Sequence, residues 1–557
     1  MNAKKILIIG GVAGGATAAA RARRLDESAD ITILEKGPYV SFANCGLPYF
    51  ISRDIARRSH LLLQTPEGFF SRYRIDVRIN TEAVDIQRGK KLVVARSSSG
   101  DETIPYDTLI LAQGGTPVVP PLRGIDLDHV FTLWTIPHMD RIHKFIEERK
   151  PATAVIAGGG FIGLEMAEAL KARGLAVTIV ELAPQVMISM DEEFGAMIKS
   201  GLQSQGICVK NGAGVSEITD RAVVLSDATS IQADLVILSI GVRPQLTLAR
   251  AAGLEIGASG GLVVNEKLQT NDPDIYAAGD MVEVVNRMSG KNVRIPLAGP
   301  ANRQGRIAAT NALGGNMKYR GALGTSVVKL FNATAASTGL SYKAAREAGL
   351  DVGVAYVFKD NHVTYFPGGK PLALKLVYDM KSGRLLGGQA YGEAGVEKRI
   401  DVLATALHGN MTLEDLSELD LSYAPPYNSA NDPINVASFV GLNHISGFSP
   451  LKTPPEVLRE MPTTHGIILD VRTVGEQAKA PFGGVLHIPA DEVRDRLVEI
   501  PCDRVIYILS KDGFLGHTTL QILKGAGLER VFNIAGGYVA ARWFAGWEQL
   551  SSQPLRP

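Results

Sequence analysis

Two stretches of this chain each combine a short apolar strand, a glycine-rich turn and a helix, followed by a second strand that ends in glutamate. In such a unit the free N–H groups of the turn and the positive end of the helix dipole attract the pyrophosphate of a dinucleotide. The pair therefore predicts an α/β protein with two Rossmann-like nucleotide-binding domains and two cofactors. The turns are Gly10-Gly11-Val12-Ala13-Gly14-Gly15 and Gly158-Gly159-Gly160-Phe161-Ile162-Gly163.

The first turn departs from the G-x-G-x-x-G pattern, because Val12 stands where the second glycine is usual, and the second turn retains it. Glu35 ends the second strand of the first unit, where a carboxylate can accept hydrogen bonds from a ribose diol. A solvated strand-end acid is the alternative. Glu181 ends the corresponding strand of the second unit and predicts NADH rather than NADPH, because it would repel a 2′-phosphate. Phe161 is either an apolar plug under the helix or a ring between nicotinamide and flavin.

One segment carries a cysteine without a neighbouring partner: Ser41-Phe42-Ala43-Asn44-Cys45-Gly46-Leu47-Pro48-Tyr49. Redox chemistry at Cys45 therefore requires an external sulfur or oxygen atom. Isolated cysteines are more often buried structural thiols, but the dinucleotide-type turn before this segment favours the redox interpretation. Cys208 and Cys502 lie far away, so the three cysteines form neither a metal pattern nor a disulfide framework, which is typical of a reducing compartment.

Length and charge limit the class of protein. At 557 residues the chain is too long for one core and should contain three or four domains. Its 58 basic and 57 acidic residues leave a formal net charge of +1, which gives no global attraction to nucleic acid or membrane. The first apolar strand, residues 6–9, is too short for a signal segment, and no run reaches membrane-spanning length. These features predict a soluble cytoplasmic protein.

Further candidate cofactor contacts follow later strands. Residues 108–111 run into Ala112 and Gly114, and residues 235–240 run into Gly241. The motif Ala277-Ala278-Gly279-Asp280 delivers a carboxylate to a turn suited to the polar ribityl–phosphate stem of a flavin, and a helix beginning near Ala298 could point at it. The predicted cofactor-binding residues are Gly10, Gly11, Val12, Ala13, Gly14, Gly15, Glu35, Lys36, Ala112, Gly114, Gly158, Gly160, Phe161, Ile162, Gly163, Glu181, Gly241, Gly279, Asp280 and Ala298.

Arg21 and Arg24 lie three residues apart on the helix after the first turn, so they share a face. A phosphorylated substrate would meet two positive charges there. The alternative is that they form the solvated face of the helix.

Together these motifs resemble the single-cysteine branch of the pyridine nucleotide–disulfide oxidoreductases. Within that branch the chain is most similar to coenzyme A disulfide reductases and NADH-dependent persulfide reductases. The tail Asp420-Leu421-Ser422-Tyr423-Ala424-Pro425-Pro426-Tyr427 adds to the resemblance, which covers about residues 1–445. The resemblance implies that FAD lies beside Cys45, that NADH reduces FAD, and that Cys45 cycles through a mixed disulfide with CoA.

The resemblance also implies individual roles and a homodimer without a metal. Tyr365 and Tyr423 would reach the site from the other subunit, with interface packing as their alternative role. Attack on sulfur near neutral pH requires a low pKa of the Cys45 thiol. The expected catalytic residues are Cys45, Asn44, Tyr365 and Tyr423, and the expected CoA-binding residues are Arg21, Arg24, Ser41 and Phe42.

A small α/β module near the C-terminus resembles a rhodanese domain. The residues that carry this likeness include Asp470-Val471-Arg472 and Gly536-Gly537-Tyr538. Ser510 occupies the position of the family's persulfide-forming cysteine, and Leu515 falls where arginine is frequent. Because a hydroxyl cannot carry a sulfane sulfur, we expect a catalytically silent module that docks a protein partner or shapes the entrance to Cys45.

The leading hypothesis is a FAD-dependent NADH oxidoreductase that reduces CoA disulfide, CoA persulfide or polysulfide through Cys45. An NADH oxidase or peroxidase that uses a cysteine sulfenic acid is the second hypothesis. A flavin-based redox sensor or scaffold is the third. The predicted domains are a FAD-binding domain (1–120 and 245–321), an NAD(H)-binding domain (121–244), an α+β dimerisation domain (322–445), a linker (446–455) and a rhodanese-like domain (456–557).

Overall fold

The computed structural model describes residues 3–547 and divides into two compact units. The first unit comprises the chain up to Pro184 together with Gly206–Gly324, and the second comprises Gln185–Gln205 and the chain from Thr325 onward. None of the helices within residues 3–547 combines the length and the apolar character that a membrane span requires.

The first sheet of the first unit contains the first glycine-rich turn. Its central strand, Lys5–Ile9, is buried from Ile6 onward, as expected of a parallel strand with neighbours on both sides. Helix Ala13–Leu25 packs against helix Ala298–Ala312, and a Cβ on Gly305 would lie 2.2 Å from the Gly14 carbonyl oxygen, so only glycine permits this crossing. The parallel strand order is Ile275–Ala277, Thr108–Leu111, Lys5–Ile9, Asp30–Leu34 and Asp76–Arg78.

The second sheet of the first unit repeats this design around the second glycine-rich turn. Its central strand, Thr153–Ala157, leads through the turn into helix Phe161–Ala172. Helix Ile136–Arg149 precedes the central strand and buries its apolar side. The parallel strand order is Cys208–Asn211, Ala176–Glu181, Thr153–Ala157, Leu235–Leu238 and Val130–Thr132.

Smaller elements complete the first unit. Three three-stranded sheets consist of Glu82–Gln87, Leu92–Ser97 and Gly100–Pro105; of Val215–Ile218, Ala222–Leu225 and Ser230–Gln232; and of Leu262–Val263, Val282–Val285 and Asn292–Val293. A two-stranded sheet pairs Gly115–Pro117 with Val242–Pro244. The short helices are Leu47–Ile51, Pro66–Tyr73 and Thr247–Ala251, and the 3₁₀ turns are Asn44–Gly46, Arg58–Leu61 and Arg88–Lys90.

The second unit contains an antiparallel five-stranded sheet with helices, which agrees with the predicted α+β domain. Long apolar strands such as Val352–Asp360 and Pro371–Asp379 form its core. The strand order is Ser326–Leu330, Ala333–Gly339, Leu385–Gly392, Pro371–Asp379 and Val352–Asp360. The helices are Glu192–Ser204, Tyr342–Glu347, Val396–Gly409, Leu413–Ser417 and Pro433–Ile445.

The C-terminal module of the second unit is built on a parallel five-stranded sheet. Asp470, at the end of a fully buried strand, forms a buried two-pronged ion pair with Arg472. The strand order is Leu451–Lys452, Val531–Ile534, Ile506–Leu509, Ile467–Asp470 and Leu486–His487. The helices are Pro454–Thr464, Val474–Lys479, Phe514–Gly525 and Gly537–Ala541, with 3₁₀ turns at Ala490–Glu492 and Leu497–Glu499.

The predicted linker 446–455 needs correction. Leu451–Lys452 is the edge strand of the module's sheet and pairs with Val531–Ile534, and Pro454 begins a helix capped by Thr453. The side chains of Gln521 and Lys524 also donate hydrogen bonds to the Phe448 carbonyl oxygen, at 2.8 and 3.1 Å. Most of the predicted linker is therefore part of the folded module.

A buried ion cluster around Lys375 joins helix Glu192–Ser204 to the antiparallel sheet. The Lys375 ammonium donates to Asp191 at 2.7 Å and to Glu193 at 2.5 Å, and all three side chains are almost completely buried. Burial alone would lower the pKa of Lys375, but the neighbouring acids raise it well above its usual value. The lysine is therefore charged and balances two buried carboxylates.

We expect Lys375→Met to lower the free energy of unfolding by about 3–5 kcal/mol, because it leaves two buried carboxylates without a counter-charge. Urea unfolding followed by circular dichroism measures the loss. Lys370→Met is the matched control, because Lys370 and Glu393 form a partly exposed pair at 2.9 Å, and its effect should stay within about 1 kcal/mol. Equal effects of the two substitutions would contradict the assignment of the cluster as a stabilising element.

Candidate functional site

The two glycine-rich turns have the same backbone geometry. Gly10 and Gly158 have φ angles of +99° and +109°, and a Cβ on either would lie 2.3–2.4 Å from a carbonyl oxygen of the neighbouring strand end. A Cβ on Gly15 or Gly163 would lie 1.8 or 2.0 Å from the carbonyl oxygen of the first glycine of its own turn. Only glycine therefore fits these four positions.

Each turn is held by the glutamate at the end of the following strand. Glu35 accepts hydrogen bonds at 2.8 Å from the amide of Gly11 and from the amide two residues beyond itself. Glu181 accepts the equivalent pair, at 2.7 Å from Gly159 and at 2.8 Å from the amide two residues beyond itself. Both carboxylates thus lie beside a turn, where a ribose hydroxyl can donate to them and a 2′-phosphate is repelled. Burial raises the pKa of Glu35.

Three helices beside the predicted cofactor residues begin, like most α-helices of the first unit, without a side-chain cap and without an acid in the first turn. They are Ala13–Leu25, Phe161–Ala172 and Ala298–Ala312. Several helices of the second unit begin instead with a complete capping box, including Pro433–Ile445 and Pro454–Thr464. Uncapped first-turn amides beside a glycine-only turn suit the pyrophosphate of a dinucleotide. The residues of both lobes therefore fit FAD and NADH.

The remaining predicted cofactor residues lie around these turns, with one qualification. Gly114, Gly241 and Gly279 have positive φ angles and open space or only distant atoms where a Cβ would lie. Phe161 and Ile162 are partly exposed at the start of their helix, and Ala298 is the first residue of its own helix. The Lys36 side chain, however, is exposed and pairs with Glu82 at 2.8 Å.

The cysteine segment is attached directly to the first turn. The amide of Ser41 donates to the carbonyl oxygen of Gly11 at 2.8 Å, and Asn44–Gly46 then forms a 3₁₀ turn that continues into helix Leu47–Ile51. Cys45 is exposed in the 3₁₀ turn. Phe42 is buried, so its side chain packs within the unit, and its predicted contact with CoA stays a prediction.

The charges around Cys45 differ from the sequence expectation of a low thiol pKa. Burial on one side of the sulfur raises its pKa, and the carboxylates of Glu165 and Asp280 raise it further. Burial also raises the pKa of Asp280 to about 6. The chain's own charges therefore oppose a thiolate unless nearby acids are neutral.

Glu165 and Tyr49 form a pair that the sequence reasoning missed. The Tyr49 hydroxyl donates to a Glu165 carboxylate oxygen at 3.2 Å. Tyr49 lies four residues after Cys45, and Glu165 lies two residues after Gly163. Tyr49 lies inside the cysteine motif and Glu165 lies just after the second glycine motif, but nothing in either motif indicates that the two side chains meet.

Arg21 and Arg24 form a cationic cluster with Arg306, which the sequence reasoning did not select. The Arg21 guanidinium donates to Thr310 at 3.2 Å, and its pKa is lowered by partial burial and by the charges of Arg306 and Arg24. Arg23, on the same helix, is instead buried and donates to backbone carbonyl oxygens. Three neighbouring guanidinium groups suit an anionic ligand.

Tyr365 and Tyr423 meet in the second unit, as the resemblance implied for residues of one site. Their hydroxyl groups lie 2.8 Å apart, and the two side chains are 72% and 46% exposed. The hydrogen bond raises the pKa of Tyr365. Such exposed hydroxyls are available to another molecule.

In the C-terminal module, the loop after strand Ile506–Leu509 is held by a hydrogen bond between two of its own residues. Ser510 is completely buried, and its hydroxyl oxygen accepts a hydrogen bond from the Gly513 amide at 3.0 Å. Cys502 is exposed in a segment before that strand. Within residues 3–547, no group of three or more histidine, cysteine or acidic side chains is arranged to hold a metal ion.

Comparison with known proteins gives the family. The family described as "Pyridine nucleotide-disulphide oxidoreductase" matches residues 4–305, and its dimerisation domain matches residues 325–432. The NAD(P)H sulfur oxidoreductase (CoA-dependent) of Pyrococcus abyssi is 37% identical over 440 residues, which is 78% of this chain and 98% of that protein.

Two solved structures resemble nearly the whole chain. Reduced CoADR-RHD of Bacillus anthracis is 41% identical with a TM-score of 0.94, covering 98% of both chains. The NAD-dependent persulfide reductase of A. fulgidus is 36% identical with a TM-score of 0.90, covering 97% of this chain and 100% of that one. The predicted fold class, with its C-terminal rhodanese-like domain, is confirmed. The chain belongs to the pyridine nucleotide-disulphide oxidoreductase family.

Proposed function

We propose that this chain is a FAD-dependent NADH oxidoreductase that reduces a disulfide or persulfide of coenzyme A, or a polysulfide, through Cys45. The observation that carries the proposal is the 2.8 Å hydrogen bond from Ser41 to Gly11, which attaches the cysteine segment to a dinucleotide-binding turn. The relatives described above, a CoA-dependent NAD(P)H sulfur oxidoreductase and an NAD-dependent persulfide reductase, support this substrate class.

Cys45 is the proposed redox centre. Its sulfur attacks one sulfur of the substrate, so that a Cys45–S–S–R bond forms as the first thiol leaves. FAD, when bound, supplies two electrons that originate from NADH. These electrons break the Cys45–S–S–R bond, which frees the second thiol and regenerates the Cys45 thiolate. For a disulfide the balance is RSSR + NADH + H⁺ → 2 RSH + NAD⁺.

The substrate's phosphates are proposed to bind the cluster of Arg21, Arg24 and Arg306. The convergence of three guanidinium groups favours a polyanionic carrier such as CoA over oxygen or peroxide. This favours the reductase over the oxidase or peroxidase hypothesis. NADH is the proposed electron donor rather than NADPH, because Glu181 lies beside the second turn.

The dimerisation domain supports a homodimer as the active form. Tyr365 and Tyr423 are proposed to act at the site of the other subunit, where each hydroxyl could donate to a leaving thiolate or orient the substrate. We propose a binding role for the C-terminal module, with a protein partner as its ligand. The cytoplasmic location stays a prediction.

We expect Cys45→Ser to reduce NADH consumption with CoA disulfide or CoA persulfide about 10³-fold or more, because no other sulfur is attached to the first turn. Steady-state absorbance of NADH measures the rate, with CoA disulfide, CoA persulfide and oxygen offered separately. Cys208→Ser and Cys502→Ser are the controls and should retain full activity. Full turnover of the sulfur substrates by Cys45→Ser, or a preference of the unaltered enzyme for oxygen, would refute the proposal.

Arg306→Ala should raise KM for CoA disulfide about tenfold and change kcat little, because it removes one charge that binds the substrate without touching the sulfur. KM of the unaltered enzyme should also rise with ionic strength. Arg96→Ala is the matched control, since Arg96 is an exposed arginine of the same unit that pairs with Asp101 at 2.7 Å. An unchanged KM in Arg306→Ala would place the phosphates elsewhere.

The C-terminal module should show no transfer of sulfur from thiosulfate to cyanide, because the buried Ser510 hydroxyl cannot form a persulfide. The formation of thiocyanate measures this activity in the full chain. The Cys45→Ser variant shows whether any thiocyanate comes from Cys45 or from the C-terminal module. Thiocyanate formation that survives Cys45→Ser would show that the module transfers sulfur.

A further inference from the structure

The Tyr49–Glu165 pair lies beside Cys45 without a role in the reaction described above. Helix Phe161–Ala172 presents Glu165 to the helix that follows the cysteine, and the Tyr49 hydroxyl donates to its carboxylate at 3.2 Å. The polar neighbours of Glu165 include this tyrosine and a second acid, Glu168. A carboxylate placed between a hydrogen-bond donor and another acid is poised to change its protonation state.

Cys45 and Glu165 affect each other electrostatically. Burial raises the pKa of Cys45, and the negative charge of Glu165 raises it further. Burial also raises the pKa of Glu165, whereas the hydrogen bond from Tyr49 lowers it. When two neighbouring acids oppose each other's ionisation, they titrate as a pair, and a new charge on one draws a proton to the other.

A small cavity offers the pair a route for proton exchange. The cavity has a volume of about 10 Å³ and is lined by Tyr49 and Glu165 together with Ser52, Asp54 and Glu168. This volume accommodates about one water molecule. Glu165 is half-buried and Asp54 is exposed, so the cavity leads from the Glu165 carboxylate to polar groups at the surface.

The other charged groups near Cys45 and Glu165 do not balance the negative charge that ionisation of either side chain creates. Asp280 faces Cys45 and adds a further negative charge. Two cations on the surrounding elements, Arg53 and Arg173, both pair with Glu147, at 2.9 and 2.5 Å. A thiolate at Cys45 is therefore balanced more readily by protonating an acid than by a positive side chain.

We propose that Glu165 takes up a proton from solvent whenever Cys45 becomes a thiolate, and returns it when Cys45 re-enters a disulfide. Two electrons from NADH, delivered through FAD, cleave Cys45–S–S–R to the Cys45 thiolate and RS⁻. RS⁻ gains one proton from solvent as it leaves, and Glu165 gains another. The inference rests on the proposed function and identifies Glu165 as a positioning residue, which acts on Cys45 through charge.

The test measures protons rather than turnover, so it does not depend on the identity of the substrate. In holoenzyme carrying Cys208→Ser and Cys502→Ser, Cys45 is converted to a methyl disulfide with methyl methanethiosulfonate. A phosphine then cleaves this disulfide in weakly buffered solution, and an indicator dye reports the proton balance between pH 6 and 8. The contribution of the phosphine is the same for every variant and cancels on comparison.

We expect the enzyme with Glu165 to take up as much as one more proton per Cys45 than its Glu165→Gln variant. Glu148→Gln, an exposed acid of the neighbouring helix Ile136–Arg149, is the matched control and should retain the full uptake. Tyr49→Phe removes the hydrogen bond that favours the ionised form of Glu165. The pH range over which the extra proton is taken up should therefore move to higher pH.

Identical proton balances with and without Glu165 at every pH would overturn the inference, as would a Tyr49→Phe profile that coincides with the unaltered one. Should Glu165→Gln not fold, the Tyr49→Phe profile alone decides, because Glu165 is then intact. The proposed function could fail, with oxygen as the true acceptor, while the proton balance stays as expected. The two failures are therefore distinguishable.

Discussion

The backbone hydrogen bond from Ser41 to Gly11 attaches the segment that contains Cys45 to the first glycine-rich turn, and the proposed chemistry depends on this attachment. It ties the segment that leads to Cys45 to a turn in which Gly10 and Gly15 leave no room for a side chain. Ser41 itself adopts a φ of +46°, a conformation that costs a non-glycine residue energy and persists only where surrounding contacts enforce it. The position of the thiol is therefore set by the geometry of the dinucleotide-binding turn.

Positive and negative side chains lie in different parts of the cysteine segment's surroundings: arginines on the paired helices and acids near the thiol. Guanidinium groups such as Arg21 and Arg306 gather on the paired helices, while Glu165 and Asp280 act on the thiol. The cations would attract an anionic substrate, but they are not among the groups that lower the pKa of Cys45. Formation of a thiolate thus depends on how the neighbouring acids are protonated, whereas the proposed binding of the substrate's phosphates involves the arginines.

Local patterns predicted most of the fold and part of the site. The glycine turns and the glutamates after them are spaced by the strand and helix they join, so their geometry follows from a short stretch of sequence. The Tyr49–Glu165 bond joins residues 116 positions apart, and only the packing of two helices brings them together. The sequence predicts a linker where the two-residue strand Leu451–Lys452 lies, because its partner, Val531–Ile534, is far along the chain and no local pattern shows the pairing.

The C-terminal module keeps the rhodanese-like fold although serine stands at the position of the family's cysteine. The buried pair of Asp470 and Arg472 and the stacking of Arg472 with Tyr538 at 4.3 Å hold the module without any contribution from a sulfur atom. Ser510 preserves the loop by accepting the Gly513 amide, so replacement of a thiol by a hydroxyl keeps the shape and removes the nucleophile. In the function proposed above, sulfur exchange therefore belongs to Cys45, and the proposed role of the module is to bind a protein partner.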